Sequence, residues 1–296
     1  MRIDYKIYEP EDNPFDLLLA DITHRCNMEC ANCYIPNRHI PDMDVEKLYE
    51  FLKKLPDKIT VRLIGAEPTV RKDLPDIITN VKKCGHRVSL TTNGVKLSSL
   101  KYLQSLKNAG LRSVLLSMNG ADNKEVYQKL DNGGEYCEPK LIALKNCMSE
   151  NMLINTGTII VKGVNEFSLK DQVDLVRRYM RETGYRSRLK PLLRFKGVGN
   201  IGRNMGQYVS YSVEEIEDIM FSTLNEKIEK VDASITSNSA SDKNYYQLND
   251  LYIRIVDWQV DDDGVPDRGN KRRGRITQDF KTAPHFEHAK DNEFGY

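Results

Sequence analysis

From Phe15 to about Phe195 the chain repeats one unit, a short apolar run followed by an amphipathic stretch. "FDLLLADIT", "KITVRLIG", "HRVSLTTNG", "LRSVLLSMNG", "NMLINTGTIIVKG" and "YRSRLKPLLRF" read as six buried strands. In "DVEKLYEFLKKL", Leu48, Phe51, Leu52 and Leu55 fall on one helical face, with Asp44 as N-cap. "LPDIITNVKKCG" and "SSLKYLQSLKNAG" are the next helices, closed by Gly85 and Gly110. Helical material then runs to about Glu150, interrupted at "DNGGEY", and "SLKDQVDLVRRYMRETG" is a further helix. Six alternations require parallel strands with right-handed crossovers. The chain is therefore α/β, with a sheet that stays open or curls into a full or partial barrel. Either way the active site falls at the C-terminal ends of the strands.

Past Phe195 the texture changes. "KGVGNIGRNMGQ" reads as a glycine-rich loop or linker, and "SVEEIEDIMFSTLNEKIEK" as a helix opened by a capping box, Ser212 to Glu215. "LYIRIVDWQV" is a strand candidate, and "DDDGVPDRGNKRRGR" is a charged, turn-rich tail. The expected division is 1–196 for the barrel and 197–296 for a C-terminal extension that closes the barrel mouth and chooses the substrate.

Composition narrows the partners. With 29% charged residues and a formal charge of +1, the chain offers no electrostatic case for nucleic acid or an anionic membrane surface. No apolar run is long enough to span a bilayer, and the polar N-terminus is unlike a signal peptide. A cytoplasmic location with reduced cysteines is expected. Six cysteines are present. Cys84, Cys137 and Cys147 are scattered and read as ordinary residues.

The other three, Cys26, Cys30 and Cys33, fall within eight residues of "THRCNMECANCYIPNR", directly after the first strand. A disulfide uses two thiols, and a structural zinc site takes four protein ligands. Three thiolates on a cubane of four irons leave one iron open for chemistry.

The C-x3-C-x2-C spacing after a first strand resembles the radical S-adenosylmethionine superfamily, and three more strand ends agree. "GAEP", Gly65, Ala66, Glu67 and Pro68, is similar to the family's G-G-E-P motif. "TTNG", with Thr92 and Asn93, closes the third strand, and "SMNGAD", with Ser117 and Asn119, resembles S-x-D-G. "GTIIVKGVNE", with Val161, Gly163 and Asn165, matches a pattern near the adenosine. The resemblance covers roughly residues 15–195 and implies a partial (β/α)6 barrel. It further implies one [4Fe-4S] cluster on Cys26, Cys30 and Cys33, and S-adenosylmethionine at the open iron. An electron from a flavodoxin or ferredoxin would then release a 5′-deoxyadenosyl radical that abstracts hydrogen. Glu67 would face the methionine ammonium and Ser117 the carboxylate or ribose. Asn32 stands where the family often has an aromatic residue, with Tyr34 just beyond. Ala66 replaces a glycine and Asn119 an aspartate.

The motifs are similar to the branch of molybdenum-cofactor cyclases and peptide maturases. Many of that branch add auxiliary clusters on C-terminal cysteines, whereas no cysteine here follows Cys147. One cluster is expected, which argues against dehydrogenation or crosslinking of substrate. About fourteen residues precede the first strand, which favours a small metabolite over a ribosomal peptide. The alternatives are a peptide or protein maturase and, outside enzymes, a structural metal-binding protein. In the tail, Arg268, Arg272, Arg273 and Arg275, with Lys271, read first as a solvated turn offset by neighbouring aspartates. The functional reading is a clamp for a phosphate or carboxylate. Asp257 and Trp258 are candidates to line the pocket, and His285 and His288 to donate protons.

Overall fold

The computed structural model describes residues 6–35, 37–200, 202–204, 206–231, 244–256 and 273–284. The predicted alternation is present. Strands β1 (Leu17–Thr23), β2 (Thr60–Gly65), β3 (Arg87–Thr92), β4 (Ser113–Ser117), β5 (Leu153–Ile160) and β6 (Leu192–Gly197) pair in chain order, all parallel. Helices α1 (Val45–Lys54), α2 (Leu74–Lys83), α3 (Leu100–Ala109), α4 (Lys124–Leu130), α5 (Cys137–Ser149) and α6 (Ser168–Thr183) lie between them. Local chemistry sets the ends. Asp44 accepts from the amides of Glu46 and Lys47, and Gly110 terminates α3 in the left-handed region. Helix α7 (Val213–Thr223) opens with the capping box between Ser212 and Glu215.

Residues past β6 do more than cover the barrel. They add β9 (Tyr252–Val256) parallel to β6 and β10 (Arg273–Ile276) parallel to β1. The short strands β7 (Glu229–Val231), β8 (Tyr245–Gln247) and β11 (Thr282–Pro284) complete an eleven-stranded sheet in the order β11-β10-β1-β2-β3-β4-β5-β6-β9-β8-β7. The expected helix over 212–230 thus ends early, at Thr223, and its last residues enter β7.

Burial alternates along β4, β5 and β6. Leu193 and Phe195 of β6, and Ile253 and Ile255 of β9, join the core packed against the helices. Their neighbours Arg194, Lys196 and Arg254 face the other way. Arg273 on β10 nevertheless acts electrostatically on Lys196 of β6. Six strand spacings separate these two along a flat sheet, about 29 Å. The sheet therefore curls until its two flanks face each other across a lumen. Its edge strands β11 and β7 are not hydrogen-bonded to each other, so the barrel is partial.

Candidate active site

The cysteine loop leaves β1 at Thr23 and is fastened from several sides. The Thr23 hydroxyl and the Arg25 guanidinium both donate to Asp42, at 2.6 and 2.5 Å. Buried Arg71 donates to the carbonyls of Ile22 and Met43 and forms a bidentate pair with Asp73. Farther along, the Ala31 amide donates to the Leu130 carbonyl, and the Asn132 amide group to the Glu29 carbonyl. Cys26, Cys30 and Cys33 are half-buried and free of disulfides. Burial pushes the Cys30 thiol up to about 12, and burial also raises Cys26. Iron must therefore displace protons as it binds. Among the described residues no three histidine, cysteine or acidic side chains stand close enough to share a single metal ion. A cubane takes its thiolates at three separate corners and does not need them so close.

The strand ends converge on this loop. The Ala66 amide donates to the Thr23 carbonyl and the Glu67 amide to the Arg25 carbonyl, which extends the β1–β2 ladder past the loop's entry. Gly65 sits at φ +138°, and a Cβ there would lie 2.2 Å from the Thr23 oxygen. Only glycine fits. Ala66, one step on, carries no such restriction, and Pro68 opens a single 3-10 turn, Pro68–Val70.

Glu67 is fully buried, and the structure commits most of its carboxylate. Oε1 accepts from the Thr69 amide and hydroxyl and from the Thr92 hydroxyl, while Oε2 accepts from the Asn93 amide at 2.6 Å. Glu67 thus ties β2 to β3, and Oε2 keeps room for one further donor. Asn93 carries the tie to the cysteine loop, donating to Asn27 and lying 3.9 Å from the Cys26 sulfur.

Ser117 ends β4 beside Gly157 of β5. Asn119 is buried, donating to Asp131 at 2.7 Å and accepting from the Ile159 amide. Asn165 spends its whole side chain on backbone, donating to the carbonyls of Asn119 and Ile159 and accepting from the Val161 amide. These two asparagines lock the ends of β4 and β5. Gly163 turns the chain at φ +71°. Tyr34 is exposed, and the segment after β6 is no free linker. Gly202 packs on the Cys33 and Tyr34 backbone, the Arg203 amide donates to the Cys33 carbonyl, and the Arg203 side chain pairs with Glu29.

Of the tail residues, Arg268, Arg272 and Trp258 lie outside the described residues, as do Asp257, Lys271, His285 and His288. Arg273 and Arg275 are buried on β10, and Arg275 pairs with Asp21 at 2.6 Å. The solvated-turn reading fails for these two. Parallel pairing with β1 draws them into the sheet, and Gly274 lets β10 pass against the Phe15 ring, where a Cβ would lie 2.3 Å away.

The structure adds residues that the sequence reading missed. Arg62 of β2, Arg194 and Lys196 of β6, and Arg254 of β9 join Arg273 and Arg275 around the lumen. Burial, then Arg254, Arg62 and Arg273, hold the Arg194 guanidinium well below its ordinary value. Burial, with Arg194, Arg273 and Arg254 behind it, brings the Lys196 ammonium down to about 7. Asp131 and Lys140 form a buried pair at 2.5 Å under the β4 end. The signal available in sequence was alternation: Arg62, Arg194 and Arg254 each sit between apolar residues of a strand, as in "LLRFKG" and "YIRIV".

Three orphaned donor atoms on two residues test whether a cofactor fits. The Asn32 side-chain nitrogen and the Arg38 Nε and Nη1 atoms are buried in or beside the cysteine loop, without partners among the described residues. Together with three half-buried thiols and strand ends that carry G-A-E-P, they suit a sulfur-rich, anionic group.

Residues 21–176 match the family model of the radical SAM superfamily. The chain belongs to that superfamily. It is an enzyme of the radical SAM class, whose cofactors are a [4Fe-4S] cluster and S-adenosylmethionine. Among curated relatives, 7,8-dihydro-6-hydroxymethylpterin dimethyltransferase of Methanocaldococcus jannaschii is 32% identical over 55% of this chain and 33% of its own length. GTP 3′,8-cyclase of Peptoclostridium acidaminophilum is 28% identical over 94% of this chain and 92% of its own. This radical SAM chain thus spans about a third of the first relative and nearly all of the second. Of solved structures, Streptococcus suis SuiB bound to precursor peptide SuiA matches with a TM-score of 0.61 at 13% identity, over 96% of this chain and 63% of that one. SuiB bound to S-adenosylmethionine matches at 0.60 and 12%, over 95% of this chain and 62% of that one. Those likenesses show the fold. No helix of the described residues is long and apolar enough to cross a membrane.

Proposed function

We propose that this enzyme abstracts hydrogen from a small, polar, anionic metabolite seated in the barrel lumen. The observation that carries the reading is the lumen itself, where Arg62, Arg194, Lys196, Arg254, Arg273 and Arg275 converge from four strands. Guanidinium forks bind phosphate or carboxylate in two-point contacts. The relative that aligns over most of the chain is named for action on GTP, itself a polyanion.

Cys26, Cys30 and Cys33 would hold the cluster. The Gly65–Pro68 segment and the Ser117 end of β4 would hold S-adenosylmethionine. When bound, these cofactors supply one-electron cleavage of the sulfonium and a hydrogen-abstracting carbon radical. The protein's part is to orient and to exclude water. Glu67, Asn119 and Asn165 fix the strand ends, the loop at Gly202 and Arg203 walls the cysteine loop, and the lumen cations hold the substrate's charged end. A low-potential donor of the flavodoxin or ferredoxin kind would deliver the electron. In this division, residues 1–196 carry the cofactors and residues 197–296 complete the substrate chamber with β9 and β10.

Anaerobic iron–sulfide reconstitution followed by dithionite tests the reading. Release of 5′-deoxyadenosine is expected to rise with nucleoside polyphosphates, sugar phosphates or dicarboxylates, and to be lost in Cys30→Ala. A reduced, loaded protein that responds to peptides but to no anionic metabolite would overturn it in favour of a maturase.

Lys196 adds a pH signature. Below pH 7 its ammonium is charged and adds one cation to the lumen, and above pH 7 that charge is lost. Affinity for an anionic ligand is therefore expected to fall as pH rises through about 7. Calorimetric titration with sulfate, whose own charge is constant across this range, checks this, and Lys196→Met should flatten the profile.

A further inference from the structure

Arg38 follows the third cysteine by five residues and turns back onto it. Its Nη2 lies 3.3 Å from the Cys33 sulfur, and its charge also acts on Cys26. The Cys33 thiol in turn points at the Ile35 carbonyl, 3.3 Å away, so the loop holds this sulfur and this guanidinium side by side. The Nε and Nη1 atoms of Arg38 are buried and find no acceptor among the described residues. A buried N–H without an acceptor costs about 1–3 kcal/mol. A guanidinium with two such atoms against a ligand thiol needs acceptors close to that thiol, and the sulfur atoms of a bound cluster are the nearest this site would supply.

We propose that Arg38 is a positioning residue that donates hydrogen bonds to the sulfur shell of the cluster and makes it easier to reduce. The inference rests on the family assignment and the three cysteine ligands, not on the identity of the substrate. Reduction brings in one electron from a low-potential one-electron donor, with no bond made or broken and no proton taken up. The site gains one negative charge, which a fixed cation hydrogen-bonded to its sulfurs stabilises, so the midpoint becomes less negative. Arginine suits this role because its fork can reach a thiolate and a neighbouring sulfur together, whereas an ammonium acts as a point charge.

The test uses the full chain, reconstituted anaerobically and without substrate. The readings are iron and sulfide per chain, an EPR-monitored redox titration and the affinity for S-adenosylmethionine. Arg38→Met is expected to lower the reduced-to-oxidised ratio at the wild-type midpoint at least tenfold, a shift of 59 mV or more for a one-electron couple. Arg38→Lys should shift the midpoint the same way by less, and in both variants affinity for S-adenosylmethionine should change less than twofold. An unchanged midpoint in Arg38→Met at full iron content overturns the proposal. A tenfold loss of S-adenosylmethionine affinity at an unchanged midpoint also overturns it, and would place the guanidinium on the cofactor's carboxylate. Should Arg38→Met fail to retain iron, Arg38→Lys decides: a negative shift supports the proposal and no shift overturns it.

Discussion

Lys140→Met is expected to lower the thermal midpoint of the apoprotein by on the order of 10 °C, and to reduce the iron it holds after reconstitution. Lys140 and Asp131 are almost wholly buried, 2.5 Å apart, and each is further committed. The ammonium donates to the Ser117 carbonyl and the Asp131 carboxylate accepts from Asn119. Removing one member of such a pair leaves a buried charge without compensation, at a cost of about 3–5 kcal/mol. The flanking residues carry that loss to the cysteine loop, because the Leu130 carbonyl receives the Ala31 amide and Asn132 donates to the Glu29 carbonyl. The double variant Asp131→Asn/Lys140→Met should recover most of the loss, since it removes both charges and keeps the volume. A double-mutant cycle by thermal or urea unfolding measures the coupling. Should the single variant cost less than 1 kcal/mol, the pair is not what braces the loop.

That pair also shows where the sequence stops being legible. Asp131 lies in "DNGGEY", readable as a break between helices, and Lys140 lies in helical material, where a lysine defaults to solvent. Nothing local says that their side chains meet, because the contact depends on how α5 packs beneath β4. The strands and helices of 15–195 were legible because their periods are local properties, and so were the caps at Asp44, Gly110 and Ser212. The strand-end motifs were legible as residues but not in their physical roles. The sequence marks Glu67 for the cofactor's ammonium, and the structure adds a second role, with four donors from Thr69, Thr92 and Asn93 tying it to β3. Strand β10 was least legible. Four residues reading R-G-R-I carry little strand propensity, and they become a strand because β1 offers a parallel edge and Phe15 a surface for Gly274.

Arg194→Met is expected to move stability and binding in opposite directions. Among the described residues Arg194 has no carboxylate partner, its Nε is buried without an acceptor, and its electrostatic neighbours include Arg254, Arg62 and Arg273. In the absence of an anion that arrangement is repulsive, and a thioether of similar length relieves it. The apoprotein should gain about 1–3 kcal/mol, read as a rise of several degrees in thermal midpoint. On the proposed function the same substitution also removes a guanidinium fork from the anion site. Pyrophosphate at a hundred times its dissociation constant should stabilise the wild type by about 2.7 kcal/mol, and at the same concentration most of that shift should vanish in Arg194→Met. Substrate-dependent release of 5′-deoxyadenosine should fall with it, while any substrate-independent release persists, because the cysteine loop and Gly65 are untouched. A cation kept at a cost to the folded chain is the expected mark of a binding group. If the apoprotein instead loses stability and the pyrophosphate shift survives, Arg194 is a structural member of the sheet and the anion is held elsewhere.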